Sequence, residues 1–438
     1  MDNQKSNSSD PSSEIRKQFD FLPFPETDLE YSPKEDAGAL FLHSLVTAYY
    51  CRDQTVTGTE RMTILDAGCG SGYKSLILAE ANPGATIVGV DISEPSVKLA
   101  RRRLKHHGFG NIDFHTLALE DLPGLNQQFD YINCDETLYL LPDPLDGLKA
   151  MRSVLKPGGI LRTNFHCRLQ RHDYFRAQEA GTLLGLMKGH NQEQDISTFR
   201  TAMDALKTGV SLKESTWSDN YKTNDQAVLA NHLLRGDKGL IIPDFLALLE
   251  AAGLEFIKMV DWSSWELKDL FKDPDKAAVF LAGKSKQEQL YLYELLNSHH
   301  RLLDVWCAQP HSGSEAQPTD EWKTRDWKNA IVHLHPQLRQ TAIRDKLRGC
   351  VLTLQSFDFN DFLKIQRGGA RLDATLQSCL LPLWESPEPF ESLVSLWQQT
   401  RPVNPVTLSP THDAEAFLTV KRLVLELEQR GYLMVERN

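Results

Sequence analysis

Three glycines at alternate positions, Gly68, Gly70 and Gly72, lie in the part of the sequence best suited to hold a ligand. Glycine has no Cβ, so its backbone can approach a bulky group closely. The apolar residues 64–67 before the glycines predict a buried strand, and the apolar spacing at 76–79 after them predicts a helix. A strand, a tight turn and a helix N-terminus together are typical of a site for a nucleotide-like ligand.

The spacing of the glycines discriminates between such ligands. Dinucleotide-binding turns carry Gly-x-Gly-x-x-Gly, and the third glycine of that fingerprint is missing in both possible registers. Its absence argues against a nicotinamide-dependent oxidoreductase. The pattern that is present, Asp66-x-Gly68-x-Gly70-x-Gly72, resembles motif I of class I S-adenosylmethionine (SAM)-dependent methyltransferases. The resemblance implies that Asp66 and the three glycines lie beside the methionine and ribose parts of SAM.

Two further stretches resemble the same family on the donor side. Asp91, at the end of the second predicted strand, matches the acidic position whose carboxylate accepts both ribose hydroxyls, and Ile92 beside it belongs to the same predicted site. Residues 129–144 resemble motif IV of the family. By that resemblance, Cys134 and Asp135 should line the methionine side of SAM.

Residues 118–123 resemble the adenine-binding segment of these enzymes. The backbone N–H of Leu119 would pair with adenine N1. Ala118 stands where the family often has an aspartate, so Glu120 or Asp121 could take over the contact with the adenine amino group. Of these two, Asp121 is the residue that we assign to the cofactor site.

Three residues are candidates for a catalytic role because they follow predicted strands at the edge where open α/β sheets bind ligands. Tyr139 stands where many relatives carry the first histidine of motif IV; it could orient the acceptor, although an aromatic side chain there is more often plain packing. Glu136 follows the fourth predicted strand, and His166 lies at the end of the fifth. His166 could act as a base, although a lone histidine after a strand is more often structural. Methyl transfer depends largely on alignment, so no catalytic residue is obligatory.

Strands and helices alternate from residue 62 onward, which predicts right-handed βαβ crossovers and a mostly parallel sheet. The family resemblance implies an α/β, Rossmann-like class I methyltransferase sheet. The predicted core strands are 63–67, 86–91, 112–117, 131–134, 160–165 and 254–260. The closing strand is predicted at either 329–335 or 278–282, and residues 286–306 are predicted to form a helix.

Changes in composition divide the chain into five predicted parts. These are a flexible N-terminal arm (1–30), the first part of the SAM-binding core (31–167), a helical insertion or cap (168–235), the remainder of the core (236–340), and a small C-terminal helical, winged-helix-like module (345–438). A linker rich in Ser, Gly and Pro is predicted at 309–319. Acidic residues outnumber basic ones at the C-terminus, so we expect packing or homodimerisation there rather than DNA binding.

The insertion and the segment after it carry a second, looser resemblance. Residues 162–166, 231–234 and 243–256 are similar to bacterial methyltransferases with a methyltransferase regulatory region, some of which methylate protein lysines. This resemblance makes a protein lysine the alternative to a small-molecule acceptor. A non-catalytic SAM-binding regulator is the second alternative.

Composition narrows the class of protein. The net charge of −11 disfavours nucleic-acid binding, which depends on Lys and Arg neutralising phosphates. No apolar run reaches the ~18 residues of a membrane span, and the polar N-terminus has no signal-peptide core, so we expect a cytoplasmic protein with no membrane partner. The seven cysteines form no Cys-x-x-Cys pair, and no metal site is expected. The sequence therefore predicts an enzyme that moves the methyl group of SAM to an O, N or C acceptor, with a small molecule favoured.

Overall fold

The computed structural model describes residues 11–110, 112–188, 191–310, 317–363 and 371–437. An eight-stranded sheet forms its centre, in the order β3-β2-β1-β4-β5-β8-β7, with β6 paired to β5 off this path. The strands are β1 Thr63–Ala67, β2 Thr86–Asp91, β3 Asp113–Thr116, β4 Phe129–Cys134, β5 Leu155–Cys167, β6 Gly239–Leu240, β7 Glu255–Met259 and β8 Leu302–Ala308.

The first five strands pair in parallel, and β8 runs antiparallel to both β5 and β7. Asp66 of β1 is in register with Gly89 of β2 and with Asn133 of β4. The carboxyl ends of these strands therefore meet at one edge of the sheet, where open α/β sheets bind ligands. The mixed α/β class and the mostly parallel sheet that the sequence predicts are confirmed.

Helices cover both faces of this sheet and its ligand-binding edge. Capping residues start several of them: the Ser93 side chain accepts from Ser96 N at 3.3 Å, and Asp143 accepts from Leu145 N at 2.8 Å. The helices before the insertion are α1 Pro11–Phe21, α2 Ala37–Leu42, α3 Leu45–Asp53, α4 Tyr73–Ala81, α5 Glu94–His106 and α6 Pro144–Val154.

The predicted insertion is helical and lies between β5 and β6. Its helices are α7 His172–Leu183, α8 Gln192–Ala205, α9 Ser211–Thr216, α10 Asp219–Thr223 and α11 Asp225–Asn231. They bury an apolar cluster of their own, which includes Phe199 and Val228. Helices α12 Ile242–Ala251, α13 Pro274–Leu281 and α14 Lys286–Leu296 then lead back through the core.

A second hydrophobic core is built mostly by the C-terminal part of the chain, with Ala37 and Phe41 of α2 packed into it. A three-stranded antiparallel sheet lies within it, in the order β10-β9-β11, and helix α20 precedes its terminal strand. The winged-helix-like arrangement and the homodimer stay predictions. The elements are β9 Ala330–Leu334, β10 Glu388–Pro389, β11 Leu433–Arg437, α15 Thr324–Lys328, α16 Thr341–Thr353, α17 Asn360–Leu363, α18 Ala374–Leu380, α19 Phe390–Thr400 and α20 Asp413–Gln429.

The predictions for the closing strand are wrong. Residues 278–282 belong mostly to helix α13, and residues 330–334 form β9 of the C-terminal sheet. The strand that closes the core is β8, which begins within the stretch 286–306 that was predicted to be helical; only the first part of that stretch, α14, is a helix. β8 is buried along most of its length and its only charged residue is Asp304, so its sequence has no regular polar–apolar alternation that would distinguish a strand from a buried helix.

Two predicted boundaries also change. Trp322 and Trp327 lie in the C-terminal core, so that module begins before residue 340 and the core ends earlier than predicted. The N-terminal arm is not free within the described residues, because α1 packs over the ligand-binding edge; Phe19, for example, packs against the main core. Residues 1–10 of the arm and 311–316 of the linker lie outside the described residues.

Candidate active site

The glycine turn connects β1 to α4 and is shaped by its neighbours. All three glycines have positive φ, and Gly72 has φ +80°. A Cβ on Gly72 would lie 2.6 Å from Ala100 Cα of helix α5, and one on Gly68 would lie 2.1 Å from the Thr137 hydroxyl oxygen. Glycine is therefore required here by close packing as well as by backbone conformation.

Asp66 supports this turn from inside the protein. Its carboxylate is buried and accepts hydrogen bonds from the Ser75 hydroxyl at 2.5 Å and from the Asn133 amide at 2.9 Å. Burial raises the pKa of Asp66 to about 6. Asp66 is not among the residues that line the cavity beside the turn; its side chain contacts the helix and the neighbouring strand instead, and its contact with the cofactor stays a prediction.

A cavity of about 280 Å³, called the first cavity below, opens beside the glycine turn. Asp91 lines it and is oriented by two backbone amides, those of Gly70 at 2.9 Å and Ser93 at 2.8 Å. Burial raises the pKa of this carboxyl. Of the residues predicted for the cofactor, the cavity wall contains Gly68, Gly70, Asp91, Ile92, Leu119 and Asp135.

A pair of opposite charges also lines the first cavity. Lys74, in the first turn of α4, places its ammonium 2.6 Å from Asp135 Oδ2, and Asn164 donates to Asp135 Oδ1 at 2.5 Å. Although burial opposes ionisation, Lys74 and Arg162 hold the pKa of Asp135 well below its usual range. The site therefore carries a fixed carboxylate and a fixed ammonium side by side. Lys74 was not among the predicted site residues, because nothing in its local sequence indicates which way it points.

Besides Asp66, three predicted cofactor residues lie away from this wall. Gly72 is the N-cap of α4, and Cys134 is fully buried in β4, where burial raises the pKa of its thiol to about 12. Asp121 is exposed on the short 3₁₀ helix Leu119–Leu125. Glu120, which the sequence left as the alternative to Asp121, lines the cavity instead.

A second cavity of about 450 Å³ adjoins the first. The two share four wall residues: Phe19, Phe24, Glu136 and Leu140. The other walls of the second cavity come largely from the insertion and carry polar groups, among them Gln170, Arg171, Tyr174, Tyr221, Asn224 and Gln226. Tyr174 and Tyr221 join their hydroxyls at 2.9 Å.

The three catalytic candidates occupy different depths. Glu136 lies where the cavities meet, has φ +56°, and pairs with Arg301, which also lines the second cavity. Tyr139 lines the second cavity and stacks on His166, with ring centroids 3.8 Å apart; burial raises the pKa of Tyr139. His166 is fully buried behind Tyr139 and lines neither cavity. Burial lowers the pKa of His166 to about 4.

The N-terminal arm covers both cavities. Ser12 and Ile15 of α1 line the first cavity, and Gln18 lines the second. Ser71 N, in the glycine turn, donates to the Phe24 carbonyl oxygen at 2.9 Å. The sequence did not predict that the N-terminal arm lies over the cavities, because no local pattern shows where a polar N-terminal segment packs.

Comparison with known proteins supports one family. The model of a protein family described as "Methyltransferase domain" matches residues 59–223 of this chain. The chain is 28% identical over 323 residues to an uncharacterised protein of Synechococcus sp., covering 73% of this chain and 75% of the relative. It is 31% identical over 169 residues to a ubiquinone biosynthesis O-methyltransferase of Acinetobacter baylyi, covering 37% of this chain and 69% of the relative.

A solved structure shares the fold over nearly the whole chain. PKMT2 from Rickettsia typhi superposes with a TM-score of 0.60 at 15% identity, covering 92% of this chain and 76% of that one. Its complex with AdoHcy superposes with a TM-score of 0.57 at 15% identity, covering 93% of this chain and 75% of that one. Among the residues that the structure describes, no helix is long and apolar enough to cross a membrane, and no cluster of side chains could hold a metal ion. The glycine turn, the sheet and the match to the A. baylyi enzyme lead to one conclusion: this chain belongs to the SAM-dependent methyltransferases.

Proposed function

We propose that the enzyme transfers the methyl group of SAM to a small molecule held in the second cavity. The observation that carries this proposal is that the two cavities adjoin at Glu136. Helix α1 and the insertion form walls of the second cavity, so an acceptor there would be surrounded by this chain. Exclusion of water and fixed orientation are what methyl transfer needs most.

The residues of the first cavity fit SAM. Asp91 can accept hydrogen bonds from ribose hydroxyls, because its backbone partners fix its direction and leave lone pairs free. Lys74 and Asp135 together match the carboxylate and ammonium of a zwitterionic amino acid. Leu119 and Ile92 offer apolar walls to a purine. When bound, SAM supplies an electrophilic methyl group for an in-line displacement.

We assign the acceptor side to Glu136 and Tyr139. Glu136 accepts a hydrogen bond from the hydroxyl or amine that is to be methylated, because its carboxylate lies where the cavities meet. Tyr139 keeps its proton, since burial raises its pKa, and orients the acceptor from the second cavity. His166 does not touch the acceptor, because it is buried behind Tyr139.

The polar walls of the second cavity favour a small acceptor over a lysine side chain. Gln170, Asn224 and Gln226 present amide groups, and two tyrosine hydroxyls lie beside them. A lysine side chain is a narrow aliphatic stem and would leave many of these polar groups without partners, which costs free energy. The A. baylyi relative is named for an O-methylation in ubiquinone biosynthesis, but its match covers only 37% of this chain.

Incubation of the enzyme with methyl-labelled SAM and a fractionated cell extract tests the proposal. We expect label in the small-molecule fraction. Label confined to protein would replace the proposal by the lysine alternative, and no transfer to any fraction would favour a non-catalytic regulator. An Asp91→Ala enzyme, which should bind SAM weakly, is the control for transfer by a contaminating activity.

A further inference from the structure

A chain of polar contacts runs from the insertion to the point where the two cavities meet. Arg171 donates to Asp237 Oδ2 at 2.8 Å, and Asp237 Oδ1 lies 2.6 Å from His166 Nδ1. His166 Nε2 is 3.1 Å from Arg301 Nη1, and Arg301 Nη2 donates to the carboxylate of Glu136. We call this set, Arg171, Asp237, His166, Arg301 and Glu136, the relay.

The chemistry of the guanidinium group fixes where the His166 proton lies. Arginine can only donate, so the Nε2 atom that faces Arg301 must accept and carries no proton. The proton of a neutral imidazole is then on Nδ1 and is donated to Asp237. Because burial keeps the pKa of His166 at about 4, the ring is neutral at physiological pH.

The insertion holds Asp237 on the side of its carboxylate that faces away from His166. Its side chain is fully buried, and Gln178 of α7 donates to the same Oδ2 atom as Arg171, at 2.8 Å. Asp237 itself lies in the segment that returns from α11 to β6. The orientation of its carboxylate thus depends on how the insertion packs on the core.

At the other end, Arg301 is the residue that holds the Glu136 side chain. The backbone N–H of Glu136 donates to Asn164 Oδ1 at 2.9 Å, which fixes the main chain in its left-handed conformation. Among the hydrogen bonds of the described residues, Arg301 alone contacts the Glu136 carboxylate. Positive φ in a residue other than glycine costs free energy and tends to occur at functional sites.

We propose that Asp237 and His166 are positioning residues: they fix Arg301, which holds the Glu136 carboxylate where donor and acceptor meet. The proposal rests on the proposed function of Glu136. It makes the insertion part of the catalytic arrangement, because Asp237 is in place only when α7 donates to it. Tyr139, stacked on His166, is fixed by the same chain of contacts.

The substitution Asp237→Asn tests the relay at its centre. Arg171 and Gln178 both donate to the Oδ2 side, so the amide oxygen turns to them and the amide NH₂ faces His166 Nδ1. His166 must then accept at Nδ1 and carry its proton on Nε2, facing Arg301. We expect the rate of label transfer at saturating SAM to fall about 10-fold to 100-fold, since small misplacements of a reacting group cost that much. The dissociation constant of SAM should stay unchanged.

Nitrogen-15 NMR of histidine-labelled enzyme gives a readout that does not depend on activity. The resonances of His166, identified by their loss in His166→Gln, should report the Nδ1–H tautomer in the natural protein and the Nε2–H tautomer in Asp237→Asn. Transfer is measured in whichever fraction of the extract takes the label. Label found only in protein would therefore overturn the proposal of a small-molecule acceptor, while the positioning role of Asp237 and His166 would still be judged by the transfer rates and the tautomer.

Two further variants distinguish positioning from general damage. Asp173→Asn removes an acid of α7 that pairs with an arginine, Arg176 at 2.7 Å, outside the relay, and should leave the transfer rate unchanged. Arg301→Lys keeps the charge but cannot contact His166 and Glu136 at once, and should lower the rate about as much as Asp237→Asn.

The double variant Asp237→Asn/Arg301→Lys should be no slower than the slower single variant, because the residues act in series. An unchanged tautomer in Asp237→Asn, or additive losses in the double variant, would overturn the inference.

Discussion

Arg103 of helix α5 is fully buried and donates from Nε to the carbonyl oxygen of Ser71, in the glycine turn, at 3.0 Å. Its two other nitrogens donate to the carbonyl oxygens of Asp28 at 2.8 Å and Thr27 at 2.7 Å. The Arg103 side chain thereby connects the N-terminal arm, by hydrogen bonds, to the turn that borders the first cavity. Arg103 contacts the arm at backbone oxygens, so the side chains of Thr27 and Asp28 give no sign of this contact.

The first prediction concerns the hydrogen bonds of Arg103 to the N-terminal arm. Arg103→Lys keeps the charge but cannot reach three carbonyl oxygens at once. We expect α1 to leave the cavity more often, so that trypsin cleaves at Lys17 faster and SAM dissociates about 10-fold faster, from the loss of ~1.5–3 kcal/mol per hydrogen bond to a charged group. Limited proteolysis and stopped-flow measurement of SAM release check this. Arg102→Lys, at an exposed position of the same helix, is the matched control; equal rates in the two variants would contradict the role of Arg103.

A second prediction concerns the amino acid part of SAM. If Lys74 binds its carboxylate, Lys74→Gln should weaken SAM binding about 10-fold, from the loss of one charge-assisted contact. The same substitution should change the affinity for decarboxylated SAM less than about 2-fold, since that ligand has no group for Lys74 to bind. Calorimetry with both ligands checks this. Lys98→Gln, which removes an exposed ammonium paired with Glu94, is the control. Equal weakening for both ligands would show that Lys74 acts only by holding Asp135.

The ribose contact gives a third prediction. Asp91→Ala should weaken SAM binding by ~10-fold or more, because it removes a carboxylate suited to accept both hydroxyls. The exposed residue Glu94, which follows shortly after it, provides the control substitution Glu94→Ala. Calorimetry measures both. An affinity equal to that of the natural protein would remove Asp91 from the ribose site.

The fourth prediction is a dependence of stability on pH. His232 is fully buried in the insertion; its Nε2 lies 3.2 Å from the Thr216 carbonyl oxygen, and its Nδ1 has no hydrogen-bond partner among the residues that the structure describes. Burial lowers the pKa of His232 from 6.5 to about 4. Between these pH values His232 is protonated in the unfolded chain and neutral in the folded one, so the free energy of unfolding rises with pH. The stability that His232 contributes is fully present above pH 6.5 and is lost as the pH falls towards 4.

The variant His232→Gln should lose this part of the pH dependence. We expect the difference in unfolding free energy between pH 4 and pH 7 to shrink by about 2–3 kcal/mol relative to the natural protein. Urea titrations at the two pH values, performed on both proteins, measure it. A variant whose pH dependence matched that of the natural protein would show that His232 does not titrate on unfolding.

The sequence by itself determined the methyl donor and the fold class. The glycine turn and Asp91 lie close together along the chain, and their spacing distinguishes a SAM turn from a dinucleotide turn. Alternation of strands and helices is likewise a local property, so it predicted a mostly parallel sheet. The sequence did not show which residues of the turn line the first cavity and which support the turn. Gly70 lines the cavity, whereas Asp66 hydrogen-bonds to Ser75 and Gly72 packs against Ala100.

The tertiary structure decided the closing strand, the position of the N-terminal arm over the cavities and the walls of the second cavity. Strand β8 is buried along most of its length and carries one charged residue, Asp304, so only its pairing with β5 and β7 reveals it as a strand. Arg301 meets His166 across a separation of 135 residues, and Arg103 meets Thr27 across 76. Such contacts form because folding brings distant segments to one edge of the sheet, and no local spacing encodes them. For that reason the donor could be predicted from short motifs, whereas the walls that the N-terminal arm and the insertion give to the second cavity emerged only from the fold.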